Sequence, residues 1–286
     1  MSPPARLLAI AGSDPSGGAG LQADLKTCAA FGVYGMTAVT AITVQNTLGV
    51  SHVEVLSADL VVAQIRAVLE DMGTDVIKIG MLGRAETVEA VADVLDELAP
   101  ETPIVLDPVM LATSGGRLLE EKAVNTLKQH LLPMADLITP NVDEAEILTG
   151  IRPEDTEGLK AAGDKLLEMG VGAALMKGGH VDGAMITDVL VSPQGQNIMI
   201  SPRLHSRHTH GTGCTLATAV ACGLALGLEM EAAVHQAREY VYEAIKNAPK
   251  LGAGHGPLGH NLAGPDTGRE AEQTEADNPF SVLKNL

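Results

Sequence analysis

The stretch Leu7-Leu-Ala-Ile-Ala-Gly-Ser-Asp-Pro-Ser-Gly-Gly-Ala-Gly20 decides the fold. Its first five residues are apolar without alternation, which is typical of a strand buried on both faces of a sheet. A glycine-rich loop follows and leads into a predicted helix that begins near Ala19. A strand, a loop and a helix in this order form the unit from which open α/β sheets are built.

The same unit recurs along the chain. Further unbroken apolar runs, each predicted to be a buried strand, lie at residues 36–44, 76–79, 104–106, 137–138 and 173–176. Between them, apolar residues recur with the period of a helix in two stripes, at Val61, Ile65, Val68, Leu69 and Met72 and at Val88, Val91, Ala92, Leu95 and Leu98. Alternation of this kind predicts an α/β fold with a mostly parallel sheet and helices on both faces.

A different pattern begins at residue 184. Apolar runs at 184–191 and 197–201 flank Ser192-Pro-Gln-Gly-Gln196, which predicts a β-hairpin at the edge of the sheet. Two helices are predicted after it, over 213–228 and 230–248. We therefore expect one domain over residues 1–262. Residues 263–286 are acidic and poor in large apolar side chains, which predicts a flexible tail, with a docking segment at 280–286 as the alternative.

Composition excludes several classes of protein. The 286 residues carry a formal net charge of −17, which repels nucleic acid and anionic membranes. Only three cysteines occur and none are paired as Cys-x-x-Cys, so neither a disulfide framework nor a structural zinc site is indicated. No 18-residue apolar run and no signal peptide are found, and we expect a cytoplasmic protein with no membrane partner.

Polar residues follow the predicted strands where each strand ends. They are the loop at 12–20, Gln45 and Asn46, Gly80 and Met81, Asp107, the segment 139–144, and the segment 177–180 that begins with Lys177. Ligands of open α/β sheets bind beyond the carboxyl ends of the strands. The sequence therefore predicts one shared cleft that contains these groups.

His210-Gly-Thr-Gly-Cys-Thr215 precedes the predicted helix at 213–228. The amides of Gly211, Thr212, Gly213 and Cys214 are predicted to form an anion-binding nest, which suits the charge on a transferred phosphoryl group. Cys214 lies in the first helical turn, where we expect the pKa of its thiol to be lowered. The alternative is an ordinary helix cap at Thr212 with a buried cysteine.

Lys177 follows an apolar strand and is predicted to meet a phosphate, with a surface lysine as the alternative. Asp107, Asn141 and Glu144 supply oxygens at neighbouring strand ends, which suits a hydrated Mg²⁺ that bridges nucleotide phosphates. Asn141 also fits the cap of a helix with Glu144 as its reciprocal partner. His208 and His210 would share one strand face, but the sequence near them lacks further ligands, and metal binding there is disfavoured.

Several motifs together resemble the hydroxymethylpyrimidine/phosphomethylpyrimidine kinases, which belong to the ribokinase-like superfamily. The resemblance covers about residues 5–262, including the segment 252–260. The motifs are residues 11–24, Gln45-Asn-Thr47, Lys78-Ile-Gly-Met81, Thr139-Pro-Asn-x-x-Glu144, Met176-Lys-Gly-Gly-His180 and His210-Gly-Thr-Gly-Cys-Thr215. The resemblance implies a three-layer α/β/α fold and a homodimer. It also implies ATP-dependent phosphorylation of 4-amino-5-hydroxymethyl-2-methylpyrimidine, and then of its monophosphate, in thiamine biosynthesis.

The resemblance also implies roles for residues. Gln45 would bind the pyrimidine edge, Gly12 and Met81 would help to define that pocket, and Asp24 would support the substrate loop. Lys177 would contact ATP phosphates. Mg²⁺ would be organised, largely through water, by Asp107, Asn141 and Glu144, and the anion hole would be formed by Gly211, Thr212, Gly213 and Cys214.

Two other functions are alternatives to this kinase activity. A pyridoxal or pyridoxine kinase belongs to the same superfamily, and some of these kinases share the cysteine-type anion hole. A non-catalytic regulator that binds a nucleotide or vitamin is disfavoured, because a pure binder needs no anion hole for a phosphoryl group in transfer. A fusion with thiamine-phosphate synthase is also disfavoured, because the tail is too short for another enzyme domain.

Overall fold

A computed structural model describes residues 3–110, 118–179 and 183–260 of the chain. Within these ranges one sheet contains nine strands, in the order β3-β2-β1-β4-β5-β6-β7-β8-β9. The strands are β1 (Arg6–Ser13), β2 (Tyr34–Asn46), β3 (Gly49–Val55), β4 (Val76–Ile79), β5 (Ile104–Leu106), β6 (Leu137–Ile138), β7 (Ala174–Met176), β8 (Met185–Ser192) and β9 (Gly195–Pro202). The predicted tail at 263–286 and His180 lie outside the described residues.

Eight α-helices accompany the sheet in the described ranges. They are α1 (Gly20–Ala30), α2 (Ala58–Asp71), α3 (Ala85–Leu98), α4 (Glu121–Thr126), α5 (Val142–Thr149), α6 (Thr156–Glu168), α7 (Thr212–Ala225) and α8 (Met230–Lys246). A π-helical turn (Leu127–Leu131) and a 3-10 turn (Leu132–Met134) continue α4. No helix in the described part of the chain combines the length and the apolar character needed to cross a bilayer.

Strand β1 shows why the sheet is covered on both faces. Successive side chains of a strand point to opposite sides. Leu8 and Ile10 pack in the core with α2 and α3, whereas Leu7, Ala9 and Ala11 pack in the core with α1, α7 and α8. The unbroken apolar run thus supplies both cores at once, and the predicted α/β class with helices on both faces is confirmed.

The strand order reverses beside β1. The chain leaves β1 towards β2 and β3 on one side, and returns to β4 on the other. Strands β2, β1, β4, β5, β6 and β7 pair in parallel, so their carboxyl ends share one edge of the sheet. The loops after β1 and β4 diverge at the reversal, which is where open α/β sheets leave a crevice for a ligand.

Antiparallel hairpins extend the sheet at both edges. The predicted hairpin is confirmed as β8 and β9, which pair from Met185–Pro202 to Ser192–Gly195. Strand β3 was not predicted. It pairs antiparallel with the far end of β2 and extends that strand to Asn46, so Gln45 and Asn46 lie inside a strand and not after its end.

Candidate active site

A cavity of about 1690 Å³ opens along the shared carboxyl edge of the strands. Its lining contains all but one of the site residues proposed from the sequence. Those that line it are Gly12, Gln45, Met81, Asp107, Asn141, Glu144, Lys177, Gly211, Thr212, Gly213 and Cys214. The strand ends therefore bring residues that are up to two hundred positions apart into one site.

Asp14 organises the loop at 12–20. Its buried carboxylate accepts hydrogen bonds from the amides of Ser16 (2.8 Å), Gly18 (3.2 Å) and Ala19 (2.9 Å). The Nε2 atom of His210 lies 2.8 Å from Asp14 Oδ2. Burial alone would raise the pKa of Asp14, but the hydrogen bonds from His210 and Ser16 outweigh it and lower that pKa. Asp14 thus stays ionised and ties the loop to the segment before α7.

Gln45 places an amide at the loop end of the cavity. Its Nε2 atom lies 3.2 Å from His210 Nε2, and its Oε1 atom lies 3.2 Å from the hydroxyl of Thr43. Gly12 and Met81 line the same cavity at the ends of β1 and β4. This end therefore combines a hydrogen-bonding amide with an apolar wall, as a small heteroaromatic ligand requires.

The loop before α7 presses against the 12–20 loop. Gly211 has φ +85°, and a side chain there would overlap the carbonyl oxygen of Gly18. Gly211 is the N-cap of α7, and the amides of Gly213 and Cys214 belong to the first turn, where helices lack internal acceptors. The amide of Thr212 does not belong to the predicted anion-binding nest, because it donates to the carbonyl of Thr209 at 3.2 Å.

The prediction of a lowered pKa for the Cys214 thiol is wrong. Burial raises this pKa to about 11, and Lys78 opposes the effect only in part. The Cys214 side chain is partly buried at the start of α7, and its loss of water outweighs the positive helix end. At neutral pH the thiol is protonated.

Lys177 stands over the first turn of α7. A Cβ on Gly213 would lie 3.3 Å from Lys177 Nζ and 3.5 Å from Asp107 Oδ2. Lys177 Nζ itself lies 3.4 Å from Asp107 Oδ1. Burial acts to lower the pKa of Lys177, but Asp107 and Glu144 reverse this and raise it. A permanent cation therefore faces the helix start.

Asn141 and Glu144 form a capping box at the start of α5. The Glu144 amide donates to Asn141 Oδ1 and the Asn141 amide donates to Glu144 Oε2, each at 2.9 Å. This confirms the predicted capping relation. Burial raises the pKa of Glu144 to about 7; Lys177 lowers it and Asp107 adds to the rise.

The Lys177 segment is held by β8. The amide of Gly178 donates to Asp188 Oδ1 at 2.9 Å, and Arg238 from α8 donates to Asp188 Oδ2 at 2.9 Å. Asp188 also lines the cavity. The edge hairpin thus fixes the backbone that carries the cation.

The histidines near α7 do not share a strand face as predicted. His210 turns towards Asp14, whereas the ring of His208 packs against the backbone of Gly256, and neither lies in a strand. In the ranges 3–110, 118–179 and 183–260, no three His, Cys, Asp or Glu side chains are arranged to hold a metal ion.

Asp24, which was expected to support the substrate loop, does not line the cavity. It is fully buried and accepts hydrogen bonds from Lys78 (3.0 Å) and Thr218 (2.7 Å). Sequence reasoning gave no role to Lys78, Asp14 or His210. A charged residue inside the apolar run at 76–79 was the available signal for Lys78, and a carboxylate among glycines was the signal for Asp14.

Residues 14–259 match the family model described as phosphomethylpyrimidine kinase. The hydroxymethylpyrimidine/phosphomethylpyrimidine kinase of Streptomyces coelicolor is 46% identical over 260 residues, which are 91% of this chain and 96% of the relative. A crystal structure of phosphomethylpyrimidine kinase from Clostridium difficile is 42% identical, with a TM-score of 0.75, and covers 84% of this chain and 99% of its own.

A second solved structure is similar to this chain, the ADP complex of Bacillus subtilis pyridoxal kinase. It is 33% identical, with a TM-score of 0.84, and covers 90% of this chain and 98% of its own. The pyridoxal kinase has the higher TM-score, whereas the phosphomethylpyrimidine kinase has the higher sequence identity. Backbone similarity therefore does not distinguish the two activities. The match over residues 14–259 and the identity above 40% decide the assignment: the chain belongs to the phosphomethylpyrimidine kinase family.

Proposed function

We propose that this protein transfers the γ-phosphoryl group of ATP to hydroxymethylpyrimidine, and then phosphorylates the monophosphate to the diphosphate, in thiamine biosynthesis. The observation that best supports this proposal is that Gln45 and Lys177 line one cavity. One end of this cavity offers an amide to a polar ring, and the other offers a cation and helix amides to a phosphate.

Gln45 supports a pyrimidine as the acceptor. An amino group beside a ring nitrogen presents one donor next to one acceptor, and a glutamine amide presents the complementary pair. The cavity lining at this end adds Gly12 and the Met81 side chain. The aromatic poverty of the chain, with no Trp and two Phe, leaves recognition to the amide and to aliphatic contacts.

The phosphate end supports transfer from ATP. The hydroxymethyl oxygen bonds to the γ-phosphorus while the bond from that phosphorus to the bridging oxygen of ADP breaks. The electron pair leaves with ADP, and the hydroxyl proton passes to a phosphoryl oxygen or to solvent. Lys177 and the amides of Gly213 and Cys214 face the transferred group. A loose transition state needs positioning and charge more than a strong base, which agrees with a protonated Cys214.

Asp107 and Glu144 fit a Mg²⁺ ion. Both carboxylates are buried and line the cavity, and Lys177 lies beside them. Mg²⁺ prefers one or two carboxylates together with phosphates and water, so a two-carboxylate set suits it. When bound, the ion would neutralise charge on the β- and γ-phosphates. Asn141 holds Glu144 in place through the capping box.

A pyridoxal kinase is the second candidate, favoured by the higher backbone similarity reported above. A coupled assay of ADP release separates the candidates when hydroxymethylpyrimidine, its monophosphate and pyridoxal are tested side by side. We expect turnover with both pyrimidines, and acceptance of the monophosphate is the decisive result. Turnover with pyridoxal alone would overturn the proposal, and no ADP release with any acceptor would favour a non-catalytic binder. The homodimer and the cytoplasmic location stay predictions.

A further inference from the structure

A lysine occupies a core position in the central strand β4. The strand reads Val-Ile-Lys-Ile, and its alternation points Ile77 and Ile79 towards α2 and α3. Val76 and Lys78 point to the opposite layer, which contains α1 and α7. Lys78 is 0% exposed, and its register neighbours are the small or apolar Ala9 on β1 and Val105 on β5.

Lys78 belongs to a buried ion cluster, which we define as Lys78, Asp24 and Thr218. Lys78 Nζ lies 3.0 Å from both carboxylate oxygens of Asp24. The hydroxyl of Thr218 donates to Asp24 Oδ1 at 2.7 Å. The cluster therefore links β4, α1 and α7, three elements that are distant in sequence.

Stability alone does not account for this cluster. Removing two charges from water is costly, and apolar side chains of similar shape often replace a buried ion pair without loss of stability. Apolar residues such as Leu21, Ala219 and Val220 pack in the same layer. A lysine buried at this position therefore points to a use for its charge.

The cluster lies beneath the anion-binding end of α7. Thr218 is one helical turn after Cys214, and residues four apart share a helix face. Lys78 lines the cavity whereas Asp24 does not, so the lysine lies on the cavity side of the ion pair. Lys78, Cys214 and Asp107 all line the cavity, so the lysine shares the site with the first turn of α7.

We propose that Lys78 is a positioning residue for phosphoryl transfer. Asp24 and Thr218 hold its ammonium group beneath the first turn of α7, where its charge stabilises the negative charge that collects at the Gly213 and Cys214 amides. This inference rests on the proposed kinase function. It gives Asp24 a different task from the one expected at the substrate loop.

The test is a shape-conserving replacement of the whole cluster, Lys78→Met with Asp24→Leu and Thr218→Val. This triple variant leaves no unpaired polar group, so we expect a melting temperature close to that of the wild type. Its kcat should fall roughly 10- to 100-fold, by analogy with the loss of one donor to a developing charge. The KM values for ATP and for hydroxymethylpyrimidine should stay within about threefold of the wild type, because the direct binding groups remain.

Each kinetic result for the triple variant supports or overturns the proposed role of Lys78. A folded triple variant with wild-type kcat, or with a raised KM alone, overturns it. Leu95→Ala is the matched control, because it removes core packing on the opposite face of the sheet and should leave kcat unchanged below its melting temperature. The wild-type assay tests the proposed function separately, since a wild type that phosphorylates no pyrimidine fails before any variant is compared.

A second variant applies if the triple variant does not fold. Lys78→Gln with Asp24→Asn removes both charges and keeps an acceptor for Thr218. The same loss of kcat is expected, and single Lys78→Arg, which keeps the charge, should recover most of it. Equal kcat values for the neutral double variant and the wild type would overturn the inference.

Discussion

Two pairs of helices cover opposite faces of the same sheet and are built differently. Helices α2 and α3 bury branched apolar side chains, among them Val61, Ile65, Val91 and Leu95, with Thr87 as the one polar residue in their buried set. Helices α1 and α7 bury small and polar side chains instead. Their buried residues include Ala23, Asp24, Thr27, Thr215, Ala217, Thr218 and Ala219.

The difference separates two tasks. Large apolar side chains remove more surface from water and contribute stability without fixing one geometry closely. Small residues let helices approach the sheet, and buried hydrogen bonds then allow few alternative positions. The α1–α7 layer carries the anion-binding helix start, so the layer with less apolar bulk holds the chemistry.

The largest effect on stability is expected in the α2–α3 layer. Leu95→Ala removes a fully buried side chain and should lower the free energy of unfolding by about 2–5 kcal/mol. Urea unfolding measures the loss, and kcat at a temperature where the variant is folded should equal that of the wild type. A large drop in kcat would show that this layer also tunes the site.

The largest effect on activity is expected at Lys177. Lys177→Met should lower kcat by about 100- to 1000-fold, because the cation over the α7 start is lost. Lys177→Arg keeps a charge and should lose less. Steady-state kinetics measures both variants, and a loss below about tenfold for Lys177→Met would remove this residue from transition-state stabilisation.

Substitution of Cys214 tests whether phosphoryl transfer requires the thiol at the start of α7. Because the thiol is protonated, Cys214→Ala should lower kcat only about tenfold and leave the KM for ATP nearly unchanged, since the backbone amides stay. A loss of more than about a thousandfold would indicate a catalytic base. Unchanged kcat would remove Cys214 from the mechanism.

Gln45 tests the pyrimidine end. Gln45→Ala should weaken binding of hydroxymethylpyrimidine by about tenfold or more through loss of paired hydrogen bonds, with ATP affinity unchanged. Isothermal calorimetry measures both ligands separately. Asn46→Ala, at the exposed next residue of β2, is the control. Equal weakening of both ligands by Gln45→Ala would indicate a folding defect.

An effect of pH on stability is expected at His260, whose Nε2 atom lies 2.8 Å from the Thr215 hydroxyl of α7. Burial, with Lys26 as a second cause, lowers the pKa of His260 to about 4 from the ordinary 6.5. Between these values His260 is protonated in the unfolded chain but neutral in the folded chain. The free energy of unfolding therefore falls as the pH decreases from 6.5 to 4. The slope contributed is at most about 1.4 kcal/mol per pH unit.

Urea unfolding between pH 7 and pH 4.5 measures that slope. His260→Gln should flatten it, whereas His52→Gln, at an exposed position on β3, should not. An unchanged slope in His260→Gln would assign the acid sensitivity to other groups.

The sequence predicts the parallel strands and the β8–β9 hairpin, but it misses the edge strand β3. All six apolar runs expected to be buried are parallel strands, because burial on both faces leaves an unbroken apolar pattern. Strand β3 escapes this pattern because Ser51, His52 and Glu54 are exposed. Its pairing depends on backbone hydrogen bonds to β2, which side-chain periodicity does not report.

The position of a site residue can be predicted from the sequence where the topology of the sheet alone determines it. Strand ends converge in any parallel sheet, so Asp107 and Lys177 approach to 3.4 Å and share one cavity with Gln45 as expected. The pairing of Lys78 with Asp24 joins residues 54 positions apart, and no local pattern names the partner. The direction of the Cys214 pKa shift was wrong for a related reason, because enclosure of a helix start depends on its neighbours in space.

The contact of His210 with Asp14 has a consequence for the order of events during synthesis. Asp14 leaves the ribosome early, but its partner follows 196 residues later, and Pro257, which bridges to His210, follows later still. At 5–20 residues per second this delay is on the order of ten seconds or more. The 12–20 loop is therefore expected to close only after His210 and Pro257 have been synthesised, so a nascent chain acquires its ligand site after its sheet.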